Sequence, residues 1–158
     1  MCSLAVAIAL AVASPAAGDA PTIKIGVISP ESGQSGSAGL AHRASIDWAM
    51  KSINYDLMTG DQHVVLTTIF ENDQGNPEES ARLARKLVTE DQVVAILGPV
   101  NSDCTAAVLR EDLHTPVISS LSSAPSLTIQ RNRWFFRATI DDRTGLGERK
   151  GRIPLAGA

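Results

Sequence analysis

A chain of 158 residues with 44% hydrophobic content can bury one ordinary core and leaves no room for two full-sized domains. Its 14 Lys and Arg against 17 Asp and Glu give a formal net charge of -3, so neither a cationic surface for a phosphate backbone nor a nucleic-acid partner is expected.

The N-terminus carries an unbroken run of Leu, Ala, Val and Ile from Leu4 to Ala13, shorter than the roughly 20 apolar residues that cross a bilayer. Ser14, Pro15 and the small residues Ala16, Ala17 and Gly18 follow it, a composition that suits a signal peptidase. Residues 1–18 are therefore expected to be an export signal, with the mature chain starting at Asp19 or a close neighbour. No Lys or Arg precedes the run, which a start codon further upstream would explain; a buried, Ala-rich helix is the alternative. Cys2 lies ahead of the apolar run, where it cannot serve as a lipoprotein acylation site. The other cysteine, Cys104, is then expected to be an unpaired thiol. No other segment is long and apolar enough to span a membrane.

Beyond the signal, short β-branched runs alternate with amphipathic stretches. Ile23 to Ile28 reads as a buried strand. Gly39 to Ile53 reads as a helix, with apolar residues at Leu40, Ala44 and Trp48 and again at Ile46, Met50 and Ile53. His63 to Phe70 is expected as a second strand. Glu78 to Thr89 reads as a helix with Ala81, Ala84, Leu87 and Val88 on one face, and Val93 to Leu97 as a third strand buried on both sides. Ser102 to Leu113 is a third helix and Pro116 to Ser119 begins a fourth strand. This order predicts an α/β domain, a doubly wound parallel sheet with helices on both faces, because parallel neighbours need right-handed crossovers.

Ligands of such sheets bind beyond the C-terminal strand ends, near the point where strand order reverses. The strand-to-helix loops are Ser29 to Gly39 (SPESGQSGSAG), Glu71 to Asn76 (ENDQGN), Gly98 to Asp103 (GPVNSD) and Ser120 to Ser126 (SLSSAPS). Three of them are crowded with Ser and Gly, small residues that let backbone N–H groups and hydroxyls approach an anionic group. Any one such loop could be no more than a turn; their gathering at one sheet edge favours a ligand site.

Enzyme signatures are missing from the same loops. Gly33, Gly36 and Gly39 follow neither nucleotide-binding glycine spacing, no serine lies in a G-x-S-x-G elbow, and no metal-ligand spacing occurs. His42, His63 and His114 are expected as surface or capping residues, and Asp141-Asp142 as a solvated turn. No catalytic residue, metal or cofactor is expected.

From Ile23 to Asp142 the sequence resembles type I periplasmic solute-binding proteins of the branched-chain amino acid (Leu/Ile/Val) transport family. IKIGVISPESGQSG matches the first strand and ligand loop, ENDQGNPEESARLARKLV a D-x-x-x-P turn and its helix, VVAILGPVNSDCTAAV the third strand and binding loop, and TPVISSLSSAPSLT the next strand and loop. WFFRATIDD resembles the stretch leading to the first hinge. The resemblance implies an extracytoplasmic receptor of two lobes that closes on a small molecule, an amino acid or related amide, and delivers it to ABC permease subunits.

The resemblance also implies site residues. Ser102 occupies the position whose hydroxyl and backbone N–H bind the ligand carboxylate, at a helix N-terminus that favours an anion; a plain N-cap role is the alternative. Ser123 stands where the family contacts carboxylate and ammonium, and Leu121 would offer its carbonyl to the ammonium. Ser122 and Asn101 adjoin them in the expected ligand-binding set. Ala38 sits where some members place an aromatic residue, and the paired cysteines of some members correspond to Gly75 and Asn101. These departures leave the solute open among amino acids, amides and urea, and a sensory domain of the same fold acting on a partner protein is the second reading.

After Asp142 the family continues with a long helix and a second lobe. This chain reads RTGLGERKGRIPLAGA, with four Gly, a Pro and basic residues lacking helical periodicity. Residues 19–142 are thus expected to form the first lobe, with the second lobe missing, and residues 143–158 an irregular tail that a shifted reading frame would explain.

Overall fold

A computed structural model of the chain describes residues 20–60, 64–129 and 131–144. The expected export signal, His63 and the tail from residue 145 onward lie outside them.

The elements in chain order are β1 (Thr22–Ile28), α1 (Gly36–Thr59), β2 (Val65–Glu71), α2 (Pro77–Thr89), β3 (Ala95–Leu97), α3 (Ser102–Arg110), β4 (Val117–Ser119), α4 (Ser126–Ile129) and β5 (Phe135–Arg137). All five strands are parallel in one sheet of order β2-β1-β3-β4-β5. The doubly wound α/β expectation is met. The two faces are told apart by pleat alternation: a Cβ on Gly26 would meet Leu87 of α2, whereas the Arg43 guanidinium of α1 lies 4.2 Å from the ring centroid of Phe70, the register partner of Val27. Helices α1 and α2 therefore cover opposite faces.

Most of the buried core lies on the α2 face. Ile28, Ile96 and Val117 from the sheet pack with Leu83, Ala84 and Leu87 of α2, Val108 and Leu109 of α3, and Leu127 of α4. Helix α2 is started firmly: the Asn76 side chain accepts from the backbone N–H groups of Glu78 and Glu79, and Pro77 opens the first turn, an N-cap followed by the proline that such a position favours.

The α1 face is covered unevenly. Phe70, Val27, Leu97, Ile118 and Phe136 are successive register partners across the whole sheet, so they form one apolar row on that face. Val27, beneath α1, is fully buried, while Phe136 at the far edge is 53% exposed.

Several expected boundaries move. Helix α1 runs from Gly36 to Thr59 rather than from Gly39 to Ile53; its C-terminal half is held by Asn54, whose amide both donates to the Leu66 carbonyl and accepts from the Leu66 N–H, each at 2.8 Å. Of its two apolar stripes, the one with Ile46 faces the sheet, and Leu40 and Trp48 are exposed. Strand β3 is shorter than expected and is not buried on both sides: Val94 precedes it and is 56% exposed, and Ala95 and Leu97, which alternate with Ile96, are only partly buried. Helix α3 stops at Arg110 rather than Leu113, ahead of left-handed backbone at Asp112 and His114. Helix α4 and strand β5, of four and three residues, are additions to the elements expected from sequence.

Candidate functional site

Because every strand is parallel, all the strand-to-helix loops emerge at one edge. The chain runs from β1 to β2 on one side and then crosses back to β3 on the other, so the order reverses between β1 and β3, where open α/β sheets receive ligands.

Beneath this crevice the loops are tied to one another by side chains. The Asn72 carboxamide oxygen accepts from Glu31 N (2.9 Å) and Gln74 N (3.0 Å), joining the loops after β1 and β2. Asp73, fully buried, accepts from Gly75 N and from the Ser80 hydroxyl at 2.7 Å, closing the turn into α2. Glu31 pairs with Arg43 of α1. Gly39 gives α1 its close approach, since a Cβ there would lie 1.7 Å from the Pro30 carbonyl oxygen.

The expected ligand residues divide into three groups. Ser102 is the first residue of α3, and the N-cap position falls on Asn101, which makes no side-chain capping bond. The Ser102 hydroxyl instead accepts from Ala124 N at 3.2 Å, which brings the β3–α3 and β4–α4 loops together. Ser123 adjoins that contact; its hydroxyl makes no hydrogen bond to the described residues, while its carbonyl accepts from Asp142 N at 3.1 Å and Arg137 Nη1 at 3.2 Å. Leu121 is 47% exposed and available at the loop surface. Ser122 is different: it is buried, and its hydroxyl lies 2.7 Å from that of Thr105 and 3.2 Å from the carbonyls of Pro99 and Val100. It holds the loops rather than facing outward. Ala38 is exposed in the first turn of α1, at the same edge but on a separate loop. Gly75 and Asn101 are neighbours, a Cβ on Gly75 falling 3.3 Å from Asn101 Nδ2.

The Ser102 and Asp103 N–H groups in the first turn of α3 have no intrahelical acceptor, and Asn101 supplies no side-chain cap. Asp103, in the same turn, bonds Cys104 N. A separate groove of about 950 Å³ runs between α2 and α3 from Gly75 and Asn76 to Arg85, Arg110 and Glu111, on the outer helical side rather than at the order reversal.

Three features went unread in the sequence. His42 is not a surface residue: it is half-buried, its Nδ1 lies 2.5 Å from the Ser29 hydroxyl, and burial lowers its pKa below the ordinary histidine value. Arg137 is buried beside Ser123. Asp141 is no free turn residue but accepts from Arg143 N and Thr144 N; the Thr144 amide, with Arg143, lowers its pKa to about 2. Cys104 is a free, buried thiol as expected, pushed up to about 12 by burial. Among the described residues no cluster of three or more His, Cys, Asp or Glu could hold a metal, and no helix is long and apolar enough to cross a membrane.

The family described as periplasmic binding protein matches residues 22–147. The structure is similar to the substrate-binding protein LivJ of a branched-chain amino acid transporter from Streptococcus pneumoniae, solved with isoleucine, at 28% identity and a TM-score of 0.71, covering 77% of this chain and 34% of that one. An ABC transporter substrate-binding protein from Sphaerobacter thermophilus is 27% identical with a TM-score of 0.65, over 73% of this chain and 32% of that one. Glutamate receptor 2.1 of Arabidopsis thaliana is 31% identical over 95 residues, 59% of this chain and 10% of the receptor. The chain thus spans about a third of the solved binding proteins and a tenth of the receptor.

Proposed function

The chain belongs to the periplasmic binding protein family, and from that premise we propose that it is the first lobe of an extracytoplasmic solute-binding component serving an ABC transporter for branched-chain or related amino acids. The observation that carries the reading is the bond from Ala124 N to the Ser102 hydroxyl, which sets the Ser123 loop beside the open N-terminus of α3. There the Ser102 hydroxyl and N–H would receive the ligand carboxylate. Ser123 would contact the same carboxylate and the ammonium, and the Leu121 carbonyl would accept from the ammonium. Export by residues 1–18 and delivery to permease subunits complete the proposal. The isoleucine in the LivJ complex supports an amino acid as solute.

A closed binding protein buries its ligand between lobes, and this lobe supplies one wall. Amide shifts in an NMR titration of the 158-residue chain with L-isoleucine should therefore centre on Ser102, Ser123 and Ala124, with affinity weaker than about millimolar. Ser102→Ala should abolish them. No response to isoleucine, leucine, valine or glutamate up to roughly 50 mM, an affinity scale below 2 kcal/mol, would overturn the reading.

A second reading is a sensory ligand-binding domain of the same fold. The identities of 31% and 36% to Arabidopsis glutamate receptors 2.1 and 2.2 favour it. Neighbouring permease and ATPase genes would support transport, and a neighbouring regulator gene would support sensing.

A further inference from the structure

We propose that Arg137, at the end of β5, is a positioning residue of the candidate site, which clamps the Ser123–Ala124 backbone and ties it to the chain leaving the sheet at Asp141 and Asp142. The inference rests on the reading of Ser102 and Ser123 as the ligand site.

The Arg137 side chain is only 7% exposed. Its Nη1 donates to the Ser123 carbonyl at 3.2 Å and its Nη2 to the Ala124 carbonyl at 2.6 Å. A buried cation is costly unless its donors are satisfied, and here Nε is buried without a partner among the described residues, while the Asp141 carboxylate stands 4.0 Å away. What holds the guanidinium is thus mainly the pair of loop carbonyls, a forked geometry that a lysine cannot reproduce.

Those carbonyls lie at a junction. Ala124 donates its N–H to the Ser102 hydroxyl, so the peptide units on either side of Ala124 are gripped from β5 and from α3. The Ser123 carbonyl accepts from Arg137 and from Asp142 N together, and Ala138 N donates to the Ser119 carbonyl at 2.9 Å. The outgoing segment is thereby zipped along the β4–α4 loop. Any shift of Ser123 or Ala124 on binding a ligand must move Arg137 or break its bonds, and is felt at Asp141 and Asp142. The connection out of this lobe thus registers occupancy of the site through the Arg137 fork, alongside the direct backbone bond from Asp142 N to Ser123.

Amide hydrogen exchange on the full 158-residue chain tests the tie without a ligand. Arg137→Met should speed exchange at Ala124 and Asp142 by about tenfold or more, the scale set by losing hydrogen bonds from a charged donor, while Gly26 and Val27 in β1 stay unchanged. Arg137→Lys should fall between, and guanidinium ion added to Arg137→Met should restore part of the protection. Unchanged exchange at Ala124 and Asp142, or an equal rise throughout β1 and β2, overturns the proposal; if Arg137→Met does not fold, Arg137→Lys decides by the same criterion. With L-isoleucine as probe, Ala124 and Asp142 should shift together in the native chain, and the Asp142 shift should be smaller relative to that of Ala124 in Arg137→Lys. Silence toward isoleucine in the native chain counts against the solute-binding reading, whereas unchanged exchange counts against Arg137, so the two failures are read separately.

Discussion

The hydroxyls of Thr105 and Ser122 lie 2.7 Å apart, and both reach the Pro99 carbonyl, which the Ser119 hydroxyl also approaches at 3.0 Å. Three buried hydroxyls from α3, β4 and the following loop thus converge on one backbone oxygen and fix the spacing of the loops after β3 and β4. Ser122→Ala leaves the Thr105 hydroxyl and the Val100 carbonyl short of a partner in a buried setting, a loss of about 1–3 kcal/mol. Urea unfolding of the variant should show it as a lower midpoint with an unchanged slope.

Gly39→Ala should be among the more damaging single-methyl additions in the chain. The new Cβ would fall 1.7 Å from the Pro30 carbonyl oxygen and 2.6 Å from its carbon, and both atoms are backbone, so the start of α1 and the β1 loop must separate. A cost of about 3 kcal/mol, at the upper end of overpacking effects, is expected from thermal unfolding. A loss below about 1 kcal/mol would mean that α1 is not seated on the loop as described.

Stability should depend on His42 with a definite sign. Burial lowers its pKa below the ordinary value of 6.5, so the folded chain holds the neutral ring, beside the Ser29 hydroxyl, at pH values where the unfolded chain already takes up a proton. The stabilising effect is fully present above pH about 6.5, the unfolded value, and declines as pH falls through that value toward the folded pKa. Comparing melting temperatures of the native chain and His42→Gln from neutral pH downward should show the native advantage shrinking. A native advantage that grows on acidification would reverse the sign and with it the assigned neutral state.

Cys104 should be chemically silent in the folded chain. The thiol is fully buried and its pKa is raised to about 12, so at neutral pH both access and thiolate are lacking. In a Cys2→Ser background, reaction with a disulfide reagent should be slow in buffer and become fast in denaturant. Rapid native labelling would contradict the burial.

The sequence revealed the parallel sheet because its strands and helices differ in period: Ile23 to Ile28 is a short β-branched segment broken only by Lys24 and Gly26, whereas Ala81, Ala84, Leu87 and Val88 recur at helical spacing. It could not reveal β5, since three residues, Phe135 to Arg137, carry too little pattern and pair only through β4. The site was legible to the level of loops. The loops followed from the strand ends, whereas Ser102 and Ser123 were implied only by the resemblance to the binding-protein family, and the structure links their loops through Ala124. The role of Ser122 was not legible, because a serine in a Ser-rich loop gives no sign of whether it faces inward; Thr105, 17 residues away, decides that. His42 and Arg137 were hidden for the same reason, their partners Ser29 and Ser123 lying 13 and 14 residues distant.

The row Phe70, Val27, Leu97, Ile118 and Phe136 leads to the remaining prediction. Helix α1 covers its first two members, but Ile118 is only partly buried and Phe136 is 53% exposed. The strip ends at β5, an edge strand of three residues whose outer side has no partner among the described residues. Apolar surface continuous with an open edge recruits other copies. The 158-residue chain expressed alone should therefore self-associate and bind a dye for exposed apolar surface. Phe136→Lys should reduce both effects, since it places a charge at the outer end of the row while leaving the core on the α2 face untouched. Its loss of stability should be small, because little burial is given up at a half-exposed position. Light scattering and dye fluorescence on both chains decide the matter: a native chain that remains monodisperse and dye-silent at concentrations near 100 μM, a range in which exposed apolar faces associate, would show that the row is shielded.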